Sequence, residues 1–149
     1  MRVDADRMRQ DFEALAAIGA TPDGGVSRPS LGAAHLAARH WFLERAAAAG
    51  LETRVDAAGN HSALLPGNGP TLLLGSHLDS VPNGGRFDGA LGVVAALHVL
   101  LAARDTSLPL GLEAIDFTDE EGTLVGLIGS EALTGALTAE ALQTPRGGR

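Results

Sequence analysis

The chain has 149 residues, long enough for one domain with a real core and too short for two ordinary ones. A formal charge of -7 without any basic cluster argues against nucleic acid or an anionic membrane surface as partner, and the absence of cysteine removes disulfides, thiolate zinc sites, iron–sulfur clusters and cysteine nucleophiles. All eleven basic residues are arginine, which excludes a Walker lysine, a Schiff-base lysine and a lysine general base.

From the N-terminus, charges alternate over residues 1–12 without an apolar core, so neither a signal peptide nor a transit peptide is expected. Met8, Phe12, Leu15 and Ala16 lie near helical spacing and Gly19 follows, which predicts an amphipathic helix over 2–20. Pro22, Gly24, Gly25 and Pro29 break the chain into a loop over 21–30. Ser30 is placed to cap a second helix that carries Leu31, His35, Leu36, Trp41, Phe42 and Arg45 and ends at Gly50. Residues 51–55 and 61–65 read as short strands around Asp56-Ala57-Ala58-Gly59-Asn60, a hairpin turn. After the turn cluster at 66–70, Leu72, Leu73 and Leu74 form the uninterrupted apolar run of a strand covered on both faces.

The stretch 91–103 is the longest apolar one, but His98 interrupts it and it is too short to span a bilayer; it predicts a largely buried helix. A strand over 110–117 follows, so strand, helix and strand make a right-handed parallel crossover. Short helices are expected over 128–133 and 138–142, and a loop over 144–149. The expected class is α/β, an αβα-layered and mostly parallel sheet with helices on both faces, and the expected location is the cytoplasm.

Chemistry concentrates at the ends of the two central strands, where open α/β sheets bind ligands. The first ends in Gly75-Ser76-His77-Leu78-Asp79-Ser80, the second in Asp116-Phe117-Thr118-Asp119-Glu120-Glu121-Gly122, and Asn83-Gly84-Gly85-Arg86-Phe87-Asp88-Gly89 opens the helix between them. Each motif has an ordinary explanation. A lone histidine after a strand is usually just hydrogen-bonded, an aspartate before Gly89 looks like a helix cap, and adjacent glutamates form solvated turns. Together, however, one imidazole, a carboxylate able to bridge and a glutamate pair make a nitrogen and oxygen set suited to zinc, manganese or cobalt. An aspartate two residues after His77 can support its other ring nitrogen, and of two neighbouring glutamates one can bind metal while the other faces an attacking water. His35, His40, His61 and His98 read as structural. No Gly-X-Ser-X-Gly elbow supports a serine hydrolase, and no dinucleotide fingerprint is present.

These motifs, with Val55-Asp56-Ala57-Ala58-Gly59-Asn60, closely resemble the amidase, hydantoinase and carbamoylase branch of the M20 metallopeptidases: N-carbamoyl-L-amino-acid hydrolases, ureidopropionases and allantoate amidohydrolases. The resemblance covers nearly the whole chain. It implies two divalent metal ions (Zn, Mn or Co), with His77 a ligand of one, Asp88 the bridge and Glu121 a ligand of the other. It also implies Asp79 supporting His77, Glu120 as general base, and a cis linkage between Asp88 and Gly89. The implied reaction is hydrolysis of a small carbamoyl or ureido substrate at its C–N bond. Full-length members form homodimers through an inserted lid domain and draw two further histidine ligands from downstream, whereas no histidine follows His98 here. Residues 1–149 are therefore expected to be part of a zinc-hydrolase catalytic domain, without the lid. Thr123-Leu124-Val125 departs from the charged residue and phenylalanine usual after this motif. A non-catalytic fragment with weak metal binding, and an M20 aminoacylase or dipeptidase, stand as alternatives.

Overall fold

The computed structural model describes residues 2–143, and the loop expected over 144–149 lies outside them. Helix α1 (Ala5–Ala17) begins where the Asp4 carboxylate accepts a hydrogen bond from Arg7 N–H at 3.0 Å, and it buries Phe12 and Leu15. Helix α2 (Ala33–Ala48) has Gly32 at its N-cap position rather than Ser30, because the helix starts two residues later than expected; no side chain caps it, and the Ser30 hydroxyl is buried without a hydrogen-bond partner among the described residues. The end of α2 is a Schellman turn: Gly50 takes φ +79° and Leu51 N–H returns to the Ala46 carbonyl at 3.1 Å.

Strands β1 (Glu52–Val55) and β2 (His61–Leu65) pair antiparallel across the expected hairpin, where the Asp56 carboxylate accepts from Ala58 and Asn60 N–H, each at 2.9 Å. Strand β3 (Thr71–His77), helix α3 (Ala90–Ala103) and strand β4 (Gly111–Phe117) form the expected parallel crossover, followed by α4 (Ile128–Thr134) and α5 (Ala139–Gln143). The spatial order is β1-β2-β4-β3.

The α/β class holds, but the sheet is mostly antiparallel rather than mostly parallel. Only β3–β4 runs parallel, because only that connection contains a helix; the turns at 56–60 and 66–70 reverse the chain, and β4 inserts between β2 and β3. This order also corrects the reading of the leucine run. Strand β3 has only β4 as a strand partner among the described residues, and Leu72 is 50% exposed.

Ala63 faces Ala114 across β2–β4, and Leu112 shares their side of the sheet. These three form one cluster with Phe12 and Leu15 of α1, Ala38, Phe42 and Ala46 of α2, and Val94, Leu97 and Leu100 of α3. Burying a side chain the size of Leu97 or Leu100 contributes roughly 1.5–3 kcal/mol. The three helices are cross-linked at Asp11, which accepts from Arg45 Nε at 2.8 Å and lies 2.9 Å from His98 Nε2. No helix among the described residues is long and apolar enough to cross a membrane.

Candidate metal centre

Parallel pairing places the ends of β3 and β4 side by side, with His77 opposite Phe117. The segment after His77 is held from both sides. Leu78 N–H donates to Asp116 Oδ1 at 2.7 Å, Arg28 Nε donates to the Leu78 carbonyl at 2.7 Å, and Ser80 exchanges two hydrogen bonds with Arg28. Asp116 is fully buried against Arg39 Nε at 2.8 Å, while Arg39 also donates to Thr118 Oγ1 at 2.9 Å. Burial pushes the Asp116 carboxyl up to about 7, against the pull of Arg39.

His77 Nδ1 lies 3.0 Å from the Asp79 carbonyl oxygen. A carbonyl can only accept, so Nδ1 carries a proton, and the neutral ring then offers its lone pair at Nε2. That lone pair faces acids: Nε2 is 3.8 Å from Asp88 Oδ1 and 3.4 Å from Glu120 Oε2.

The Asp88 carboxylate reaches this point through a tight γ-turn. Gly89 takes φ +61° and ψ -54°, and Ala90 N–H donates to the Asp88 carbonyl at 2.5 Å. A Cβ on Gly89 would lie 2.4 Å from the His77 carbonyl oxygen and 2.5 Å from its ring, so both conformation and close approach require glycine. All peptide bonds among the described residues are trans, which corrects the cis linkage expected at Asp88–Gly89: the glycine's φ turns the chain instead. The capping explanation for Asp88 also fails, since Gly89 is the N-cap of α3 and no side chain caps it.

The Asp79 carboxylate holds the acidic turn by accepting Glu120 and Glu121 N–H at 3.3 and 3.1 Å. Its own contact with His77 Nδ1 is longer, 3.6 Å, so Asp79 supports His77 through its carbonyl and the glutamates through its carboxylate. One ligand atom each from His77, Asp88 and Glu121 lies within 4.8 Å of the others. Burial, then the Asp88, Glu120 and Asp79 carboxylates, push the Glu121 carboxyl up, with His77 opposing. A cation here would relieve that repulsion, and an open imidazole lone pair with two carboxylates is a donor set that fits one.

All five candidates, His77, Asp79, Asp88, Glu120 and Glu121, thus converge. The remaining histidines are engaged elsewhere: His40 with Glu44, His61 with the Gly59 carbonyl, His98 with Asp11, and His35 Nδ1 accepting from Leu31 N–H. Sequence reasoning missed Asp119. Its backbone takes φ +54° and its buried carboxylate gathers the N–H groups of Leu124, Val125 and Gly126 at 2.7–3.3 Å. The signal available was an aspartate, tolerant of left-handed backbone and able to bind nearby N–H groups, at the mouth of a glycine-containing loop. The loop it shapes borders a cleft of about 700 Å³ lined by Pro29, Val81, Pro82, Val125 and Leu127 beside Glu120 and Glu121.

The sequence model of peptidase family M28 matches residues 60–144. An N-carbamoyl-L-amino acid amidohydrolase of Geobacillus stearothermophilus is 39% identical over 148 residues, covering 95% of this chain and 36% of that protein. An allantoate amidohydrolase of Bacillus subtilis is 36% identical over 142 residues, covering 91% of this chain and 34% of that protein. The crystal structure of a hydantoinase/carbamoylase family amidase from Burkholderia ambifaria superposes with TM-score 0.90 at 36% identity, covering 97% of this chain and 37% of the other. The chain thus spans about a third of the length of these relatives.

Proposed function

The chain belongs to peptidase family M28, among the M20/M28-like hydrolases that include carbamoylases and allantoate amidohydrolases, and from that premise we propose that its site serves metal-dependent hydrolysis of linear carbamoyl and ureido C–N bonds. The observation that carries this reading is the meeting of His77 Nε2, Asp88 and Glu121 beside Glu120, at the strand ends, on the border of an open cleft.

His77, Asp88 and Glu121 would hold divalent cations. When bound, such cations would supply charge that polarises the substrate carbonyl and lowers the pKa of a water, so that it gives up its proton readily. Glu120 takes a proton from the attacking water as it adds to the carbamoyl carbon. The same carboxyl then delivers that proton to the departing nitrogen as the C–N bond breaks, so no covalent enzyme intermediate forms. Asp79 fixes the direction of both glutamates through their N–H groups, and its carbonyl keeps the His77 proton on Nδ1. The substrates proposed are an N-carbamoyl-L-amino acid or allantoate.

The test separates the two glutamates. In a form of the relatives' length, Glu120→Gln is expected to keep its metal content while ammonia release falls by a factor of roughly 100 to 10,000. Glu121→Gln is expected to lose metal. Equal metal retention in both variants, measured by elemental analysis, would refute the assignment.

A further inference from the structure

The Asp88 carboxylate is the least supported member of the cluster. Its side chain is 66% exposed, it stands 3.8 Å from His77 Nε2, beyond hydrogen-bond reach, and no protein donor among the described residues hydrogen-bonds it. Its position therefore depends on the backbone of the loop that carries it. The first half of that loop is fixed: Gly84 exchanges two backbone hydrogen bonds with Val26, and Asn83 N–H donates to Ser27 Oγ at 2.8 Å. Beyond Gly84 the backbone hydrogen bonds are internal or run into α3, Asp88 N–H to Gly85 and Leu91 N–H to Phe87.

What ties residues 85–88 to the body of the protein is aromatic. The Phe87 ring stacks on Phe12 of α1 with centroids 5.0 Å apart and planes within 8°. The Arg86 guanidinium lies 5.4 Å from the Phe12 centroid and 5.1 Å from that of Phe87, within cation–π range of both. Phe12 is almost wholly buried, so it is a fixed platform, whereas Phe87 is 57% exposed. A phenylalanine that leaves more than half of itself in water gains little as core. Its stack instead defines where the peptide immediately before Asp88 sits.

We propose that the Phe12–Phe87 stack, with Arg86 across it, sets the Asp88 carboxylate against His77 and Glu121, making Phe12 and Phe87 positioning residues for cation binding. This rests on the metal reading above. Leucine at 87 keeps apolar character but loses the flat stacking face; tyrosine keeps that face and places its hydroxyl in solvent.

The test is calorimetric titration of the chain with Mn(II), paired with thermal unfolding of the metal-free protein. Phe87→Leu is expected to weaken Mn(II) binding by roughly 10-fold or more, the loss typical when support of a metal ligand is removed. Its unfolding midpoint should stay within about 3 °C of the parent, because the side chain is mostly exposed. Phe87→Tyr is expected to restore affinity to within about twofold of the parent, and Phe12→Leu should weaken binding in the same sense as Phe87→Leu. Unchanged affinity in Phe87→Leu, or a loss that follows lost stability and is not restored by tyrosine, overturns the role of the stack. Asp88→Asn and Glu121→Gln test the site separately. Binding lost in those two but intact in Phe87→Leu refutes only the stack, whereas binding that survives both, or absent from the parent, refutes the site and the stack with it.

Discussion

His35 illustrates how a single buried group makes stability depend on pH. Its Nδ1 accepts Leu31 N–H at 2.8 Å, so the ring is neutral with its proton on Nε2, and that atom is buried without a partner. Burial first, then the nearby Arg39 charge, lower its pKa from 6.5 to about 3. Below the ordinary value the unfolded chain takes up a proton that the folded one refuses. Stability from this group is therefore complete above about pH 6.5 and declines as pH falls towards 3, by up to about 1.4 kcal/mol per pH unit. Between pH 7 and pH 5 the stability of the parent relative to His35→Gln, which keeps an acceptor for Leu31, should fall when both are read by urea unfolding; the comparison cancels the opposite contribution of the raised Asp116 carboxyl, common to both proteins. Parallel slopes for the two proteins would contradict the account. None of this was legible in the sequence, where His35 read only as structural; the identity of a histidine does not reveal which of its nitrogens is enclosed.

At the scale of elements, the site depends on a buried polar layer behind the ends of β2 and β4. Asn60 Oδ1 accepts Thr118 N–H at 2.9 Å, while its Nδ2 donates to Gly129 O at 3.1 Å and to the Asp56 carboxylate at 2.8 Å. One side chain thus joins the β1–β2 hairpin, the strand leading to Glu120 and the start of α4. Asn60→Ala leaves the Thr118 N–H without its partner, which costs about 1–3 kcal/mol. The thermal midpoint should fall by roughly 2–4 °C for each kcal/mol lost, and differential scanning calorimetry would measure it. A change below about 1 °C would mean that water replaces the amide without penalty. The hairpin itself was legible from Asp56 to Asn60 because turn chemistry is local. The use of Asn60 across three elements was not, since its partners lie 58 and 69 residues away.

For the molecule as a whole, the donor count limits what these residues can hold. His77, Asp88 and Glu121 are the group with metal-ligand geometry among the described residues, and one shared carboxylate leaves each of two ions two protein donors, fewer than the three usual for catalytic zinc. The 149-residue chain is therefore expected to bind a single divalent ion, weakly, and to release no ammonia from N-carbamoyl amino acids. Calorimetry with zinc, manganese or cobalt and an ammonia assay check both halves. Two tight ions per chain with turnover would show that a second copy completes the coordination. The open edge at β3, with Leu72 half exposed, predicts in addition that sedimentation will show association increasing with concentration.

The sequence by itself determined where along the elements the candidate residues stand. His77 stands at the end of an apolar strand, Glu120 and Glu121 just past the next, and Asp88 ahead of an apolar helix, because strand and helix periods are fixed by backbone geometry and can be counted along the chain. The parallel crossover followed from the same counting, since a helix between two strands returns the chain in its starting direction. The tertiary structure alone decided that β4 lies between β2 and β3, that most of the sheet is antiparallel, that Gly32 rather than Ser30 opens α2, and that a γ-turn at Gly89 aims Asp88. Side chains alternate alike in parallel and antiparallel strands, and a cap or turn competes with partners far away in sequence. Those choices are settled by which long-range contacts form together, and no local pattern of residues records them.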